Sequence, residues 1–152
     1  MSTTDVQDWL PGCHAPRLNR LIRWRLGKHA PAPETTFEEF FRTGIFMLLE
    51  EVERLYSSGV AGKIWSPSGD YAQFETAGDY RQYRARGTAK VVLRIEVAST
   101  RAARGFVSEA RVWCADRRTQ LIFRPFWALV SPLARRVYSE GLAAAVRRAE
   151  AP

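Results

Sequence analysis

Two groups of side chains in this sequence have the types and spacing to do chemistry. Glu75, Asp79, Tyr80 and Tyr83 fall within nine residues. A carboxylate desolvated beside an aromatic ring has a raised pKa, suited to general acid–base work. Glu109 is a further carboxylate, but it alternates with Arg111 on one side of a strand pattern and reads as a surface pair. Asp79 reads equally well as a helix-end residue. The second group is Cys13, His14 and His29. A zinc site takes three or four ligands with short paired spacings, and no CxxC or HxxxH occurs, so no metal or other cofactor is expected. Both histidines precede residue 30, which leaves nothing for a histidine-based triad. A glycine-rich phosphate loop and a nucleophile elbow are also missing. Trp65 and Trp127 offer an apolar body with one hydrogen-bond donor, as residues at a pocket mouth do; core packing is the plainer alternative. The chemistry leans toward binding rather than catalysis.

Those residues must be positioned by one domain, the size that 152 residues suggest. The composition is 46% hydrophobic and 26% charged, ordinary for a chain that buries a core. No apolar run approaches the roughly 20 residues of a membrane span. The first residues lack a basic start and apolar stretch, and the distant pair Cys13 and Cys114 forms no disulfide framework, so a cytoplasmic location with reduced thiols is expected. The net charge of +7 raises the question of an anionic partner. Its arginines are scattered, however, which suits solvated faces better than a nucleic-acid surface.

The longest element runs from Asp116 to Ala151. Asp116 is a suitable helix N-cap. Ile122, Phe126, Leu129, Leu133, Val137 and Ala144 recur at helical spacings and define an apolar side, with Arg124, Ser131, Arg135 and Ser139 opposite. Pro132 is expected to kink the helix, and Pro125 either to bend it as well or to delay its start to near Phe123. So long an amphipathic helix needs a broad apolar partner, and the strands upstream supply it. From Ala89 to Val97, Val91, Leu93, Ile95 and Val97 alternate with Lys90, Val92, Arg94 and Glu96, the pattern of an antiparallel sheet with one wet face. Ser99 to Gly105 is a hairpin loop. In the following strand, Phe106 to Cys114, Ser108, Ala110 and Cys114 are too small to fill the space beneath a bulky helix, so a cavity is expected there. Earlier strands are expected at Ile45–Leu49 and Arg54–Trp65, joined by a turn at Glu50–Glu53. Gly59 and Gly62 mark a bend or close approach. Ser66 to Asp70 is a turn, Tyr71 to Phe74 an extended piece and Ala77 to Tyr83 a short helix. At the start, a basic amphipathic helix runs from Pro16 to about Leu26, anchored by Trp24 and capped by Gly27. An extended connector follows, then a short helix from Phe37 to Arg42.

From Gly59 to Glu150 the chain resembles the SRPBCC (START-like, helix-grip) superfamily, including the bacterial group related to polyketide cyclases. The resemblance rests on Gly59-Val60-Ala61-Gly62-Lys63-Ile64-Trp65 with Ser66-Pro67, and on Gly87-Thr88-Ala89-Lys90. Ser108-Glu109-Ala110-Arg111-Val112 with Cys114-Ala115-Asp116, then Phe123, Trp127, Ser131-Pro132-Leu133 and Arg147-Arg148-Ala149-Glu150, follow in the same order. It implies an α+β fold in which a curved antiparallel sheet grips a long C-terminal helix, with an apolar pocket between them. It carries over no catalytic set. Met1 to Leu10 is a poor strand, so the family's first strand is open to question, and a bare sheet edge would let a second copy of the chain pair there.

The expected organisation is therefore a single domain over residues 1–152, with an N-terminal helical segment (1–43), the sheet (44–115) and the C-terminal helix (116–151). The expected function is binding of an apolar small molecule or lipid by Trp65, Leu93, Ile95, Phe106, Ser108, Ala110, Val112, Phe126, Leu129, Leu133 and Val137. Two alternatives stand beside it. One is a cyclase-, dehydrase- or hydrolase-type enzyme, which needs two polar side chains converging in the pocket. The other is a basic module that places the Arg17–Lys28 helix on nucleic acid or an acidic membrane.

Overall fold

The sheet is built outward from its most regular strand, where β-branched residues alternate with polar ones. A computed structural model describes residues 44–52, 55–99 and 104–150, with the single positions Arg20, Trp24 and Gly27. In chain order the elements are β1 (Met47–Val52), β2 (Leu55–Lys63), β3 (Asp70–Tyr71), α1 (Ala77–Gln82), β4 (Ala89–Ser99), β5 (Arg104–Cys114) and α2 (Arg117–Glu150). The fold is α+β, an open five-stranded antiparallel sheet with a long C-terminal helix. The strands are ordered β1-β2-β4-β5, and β3 pairs the far end of β2.

Several expected boundaries move. Glu50, Glu51 and Val52 are not a turn: they continue β1 past an irregularity between Leu48 and Glu50, and Val52 pairs with Leu55. Charged side chains are tolerated here because β1 is an edge, where charge also deters stray pairing. Ile45 precedes its strand and is buried instead in the core at 8% exposure. The extended piece after the Ser66 turn shrinks to two residues, Asp70 and Tyr71. Gly62 explains the tight return: its φ is +133°, and a Cβ there would collide with the Asp70 carbonyl. The Pro16–Leu26 helix, the connector from His29, the Phe37–Arg42 helix and the centre of the β4–β5 loop lie outside the described residues, apart from three positions. Of these, Gly27 has the positive φ of a C-cap, +51°, whereas Trp24 is 76% exposed and is not the expected anchor.

The sheet's two faces are covered differently. On the inner face Ile45, Val60, Ala89, Val91 and Phe123 form the buried core, joined by Trp65, Leu93, Val112, Phe126 and Trp127. On the outer face α1 lies against β1, and its Tyr80 side chain reaches across β2 to β4. Tyr80 is 2% exposed and its hydroxyl donates to the Val91 carbonyl at 3.1 Å. Its ring sits directly on Gly59, where a Cβ would overlap it, so the glycine read as a point of close approach is one. Phe74 packs edge-on against both Tyr80 and Tyr83. Thr76 caps α1 through a reciprocal pair of bonds with Asp79, which gives Asp79 a structural task.

Candidate functional site

Asp116 fixes how α2 leaves the sheet. One carboxylate oxygen accepts the Thr119 amide at 2.7 Å, capping the helix, and the other accepts the Gly87 amide at 2.8 Å, tying the helix start to the turn before β4. These amides hold its carboxyl below the ordinary carboxylate range. From there α2 crosses the inner face with Thr119, Phe123, Phe126, Trp127, Val130 and Ala134 toward the sheet or its recess. Phe123 is 3% exposed, stacks on Trp127 with centroids 5.7 Å apart and meets Trp65 edge-on at 6.2 Å.

This packing corrects the expected apolar stripe. Leu129 is 73% exposed, while Ile122 and Leu133 are near 42% and 41%. The buried stripe is turned by roughly 70° from the expected one, at 3.6 residues per turn. The cause is the helix's composition: it is apolar over more than one side, and the aromatic series Phe123, Phe126, Trp127 packs together and against Trp65 on the sheet.

The helix packs against the inner sides of β5 and β4, and two spaces result. A recess of about 150 Å³ lies between sheet and helix, with Val60, Val91, Leu93, Phe126, Trp127 and Val130 among its lining residues. Its walls are apolar apart from the Tyr71 hydroxyl. An open groove of about 890 Å³ runs between β5 and the first half of α2, floored by Ala110, Val112, Phe123, Trp127 and Ala128 and flanked by Arg117, Gln120 and Arg124. Trp127 borders both spaces. Small-molecule sites span roughly 300–1,000 Å³, so the recess admits only part of a ligand and the groove a whole one.

The expected binding residues therefore separate. Leu93 and Phe126 line the recess, and Ala110 and Val112 line the groove. Ile95, 2% exposed, is packed into the inner face away from both. Trp65 belongs to the core beside Phe123. Ser108, Leu129 and Leu133 are exposed beyond the groove. Phe106 and Val137 are described by their backbone alone. The small residues of β5 thus leave neither a sealed cavity nor a tightly seated helix, but a trough open at the sheet edge. Missed by sequence reasoning were Phe123, Val130, Arg117, Gln120 and Arg124; the 4-3-4 spacing of Phe123, Trp127, Val130 and Ala134 was the signal that could have found the first two.

The candidate acid–base groups do not converge. Asp79 caps α1, and Glu109 bonds Arg111 at 2.7 Å on the outer face. That bond keeps the Glu109 carboxyl low and the Arg111 guanidinium high. Tyr80 is pushed well up by burial and holds its proton. In the groove, burial and then the Asp116 charge raise the Cys114 thiol, which keeps it protonated and a poor nucleophile. Among the described residues no group of three or more acidic, histidine or cysteine side chains could hold a metal ion.

Fold and site together define an open-faced sheet-and-helix domain with an arginine-flanked trough whose floor is apolar. Compared with known protein-family models, curated proteins and solved structures, the chain shows no significant match. No helix among the described residues is long and apolar enough to cross a membrane.

Proposed function

We propose that this chain is a START-like, helix-grip binding domain that takes an apolar small molecule or lipid carrying an anionic end. The ligand's body lies in the trough between β5 and α2, its tip enters the recess beside Trp127, and its charge meets Arg117 and Arg124. The observation that carries this reading is that the 890 Å³ groove, with apolar residues on its floor and Arg117 and Arg124 at its flank, and the apolar 150 Å³ recess share Trp127 as a wall. Binding draws on burial, about 25 cal/mol per Å² of apolar surface, less the cost of immobilising the ligand. A ligand is favoured over a reaction because Asp116 is engaged by two amides and the neighbouring Cys114 thiol is held protonated. Nucleic acid is disfavoured on the outer face, where Arg94 and Arg111 are bonded to Glu96 and Glu109.

The test is titration of the full chain with saturated carboxylates of increasing length and the matching alcohols, followed by tryptophan fluorescence and thermal shift. Saturable binding at one ligand per chain is expected. Exchanging Arg117 and Arg124 for Gln weakens the carboxylates severalfold and leaves the alcohols unchanged. A series with no saturable signal and no rise in thermal midpoint overturns the reading.

A further inference from the structure

We infer that the bare edge of β5 pairs antiparallel with β5 of a second copy of this chain, about a two-fold axis at Ala110. Among the described residues β5 pairs only with β4, and Val107 through Arg111 are exposed along it. Eleven residues of strand without an internal proline is a long edge to leave bare. The direction of its backbone groups follows from the ladder. The Ala115 amide donates to the Thr88 carbonyl at 3.0 Å, and the register then runs unbroken from Ala89↔Cys114 to Ser99↔Arg104. Val107, Glu109, Arg111 and Trp113 therefore direct their amides and carbonyls to β4. Ser108, Ala110, Val112 and Cys114 direct theirs to the open side.

The side chains select one register. A two-fold contact must match residue i with j and j with i. With the axis at Ala110, Glu109 faces the partner's Arg111, and Arg111 faces the partner's Glu109. Val107, 52% exposed, meets the partner's Trp113, an exposed aromatic that suits a β-branched neighbour. Ala110 meets its own copy, where a small side chain fits. Moving the axis by one residue stacks Glu109 on the partner's Glu109, or Arg111 on the partner's Arg111, and each like-charge pair is unfavourable. The edge thus carries charges of both signs in a self-complementary order, unlike an edge guarded by lysine or proline. The axis stands normal to the sheet, so both inner faces lie on the same side. The partner's β5 then walls the open flank of the groove that Ala110 and Val112 line. The strand pairing stands on β5 alone and does not require a ligand.

Sedimentation velocity on the full chain, over a wide concentration range at low salt, tests this. A concentration-dependent dimer is expected. Glu109→Arg and Arg111→Glu each weaken it by about tenfold or more. Mixing the two single variants restores a dimer, as does combining both changes in one chain, because each pair again faces opposite charge. Ala110→Pro gives a monomer with an unchanged far-ultraviolet spectrum, since the amide it removes points away from β4. Should Ala110→Pro disturb folding, the charge variants and their mixture decide the matter without it. A wild-type chain that stays monomeric overturns the inference, and so does a dimer indifferent to the charge reversals or one that mixing fails to restore.

Discussion

Asp116 and Gly59 each serve two elements at once. Because the Asp116 carboxyl is held below its ordinary value by the Thr119 and Gly87 amides, its contribution to stability is present above the unfolded carboxylate range and is lost as pH falls through the lower folded value. Asp116→Ala should destabilise the chain at neutral pH, with the difference from wild type closing below about pH 4. Denaturant melts at several pH values would show it, and a pH-independent gap would assign the loss to packing instead. Gly59 tolerates no side chain while the Tyr80 ring lies on it. Gly59→Ala should cost about 1–3 kcal/mol, and little of that in a Tyr80→Ala background, a coupling that a double-mutant cycle reads directly. Asp116 as a cap and Gly59 as a place of close approach were both legible in the sequence, since each follows from local chemistry. Lys90 was not. Alternation placed it on the wet face, yet it is 8% exposed, with its ammonium 5.2 Å from the Tyr80 ring, 5.1 Å from the Trp113 ring and bonded to the Tyr80 and Arg81 carbonyls. Burial, then the nearby Arg84 charge, lowers its pKa. Only the docking of α1 on that face, a long-range event, buries it.

At the level of elements, β4 and β5 follow from period-two alternation, β2 from a strand-length run bounded by turns, and the sequence also announces the hairpin between the last two. The long helix was equally plain in extent and start, but not in orientation. Leu121, Ile122, Leu129 and Leu133 are as apolar as the residues that do face the sheet, so periodicity offers two overlapping stripes and no means of choosing. Mutual packing chooses: Phe123 meets Trp65, Phe126 and Trp127 at once. Phe123→Ala should therefore cost about 3–5 kcal/mol in chemical denaturation, whereas Leu129→Ala should stay within about 0.5 kcal/mol. Comparable losses at the two positions would mean that the helix rests on the other stripe.

Across the whole molecule, the α+β layout was readable because β4, β5 and the long helix carry their own patterns, while β1 and β3 are fixed by what they pair with. What was hidden is where the helix stops covering the sheet. That depends on the rise and curvature of paired strands, which no local pattern records, and it turns an expected enclosed cavity into a trough along β5. The binding residues split accordingly, four of them at the recess or groove and the rest in the core, on the exposed rim or described by backbone alone.

The two prolines of α2 bear on that trough. Each lacks an amide hydrogen, so the carbonyls of Leu121 and Ala128, one helical repeat earlier, lose their usual donor. Ala128 stands on the groove wall. At Ala128 the missing donor falls beside the trough, a place for an entering hydroxyl or water to supply one.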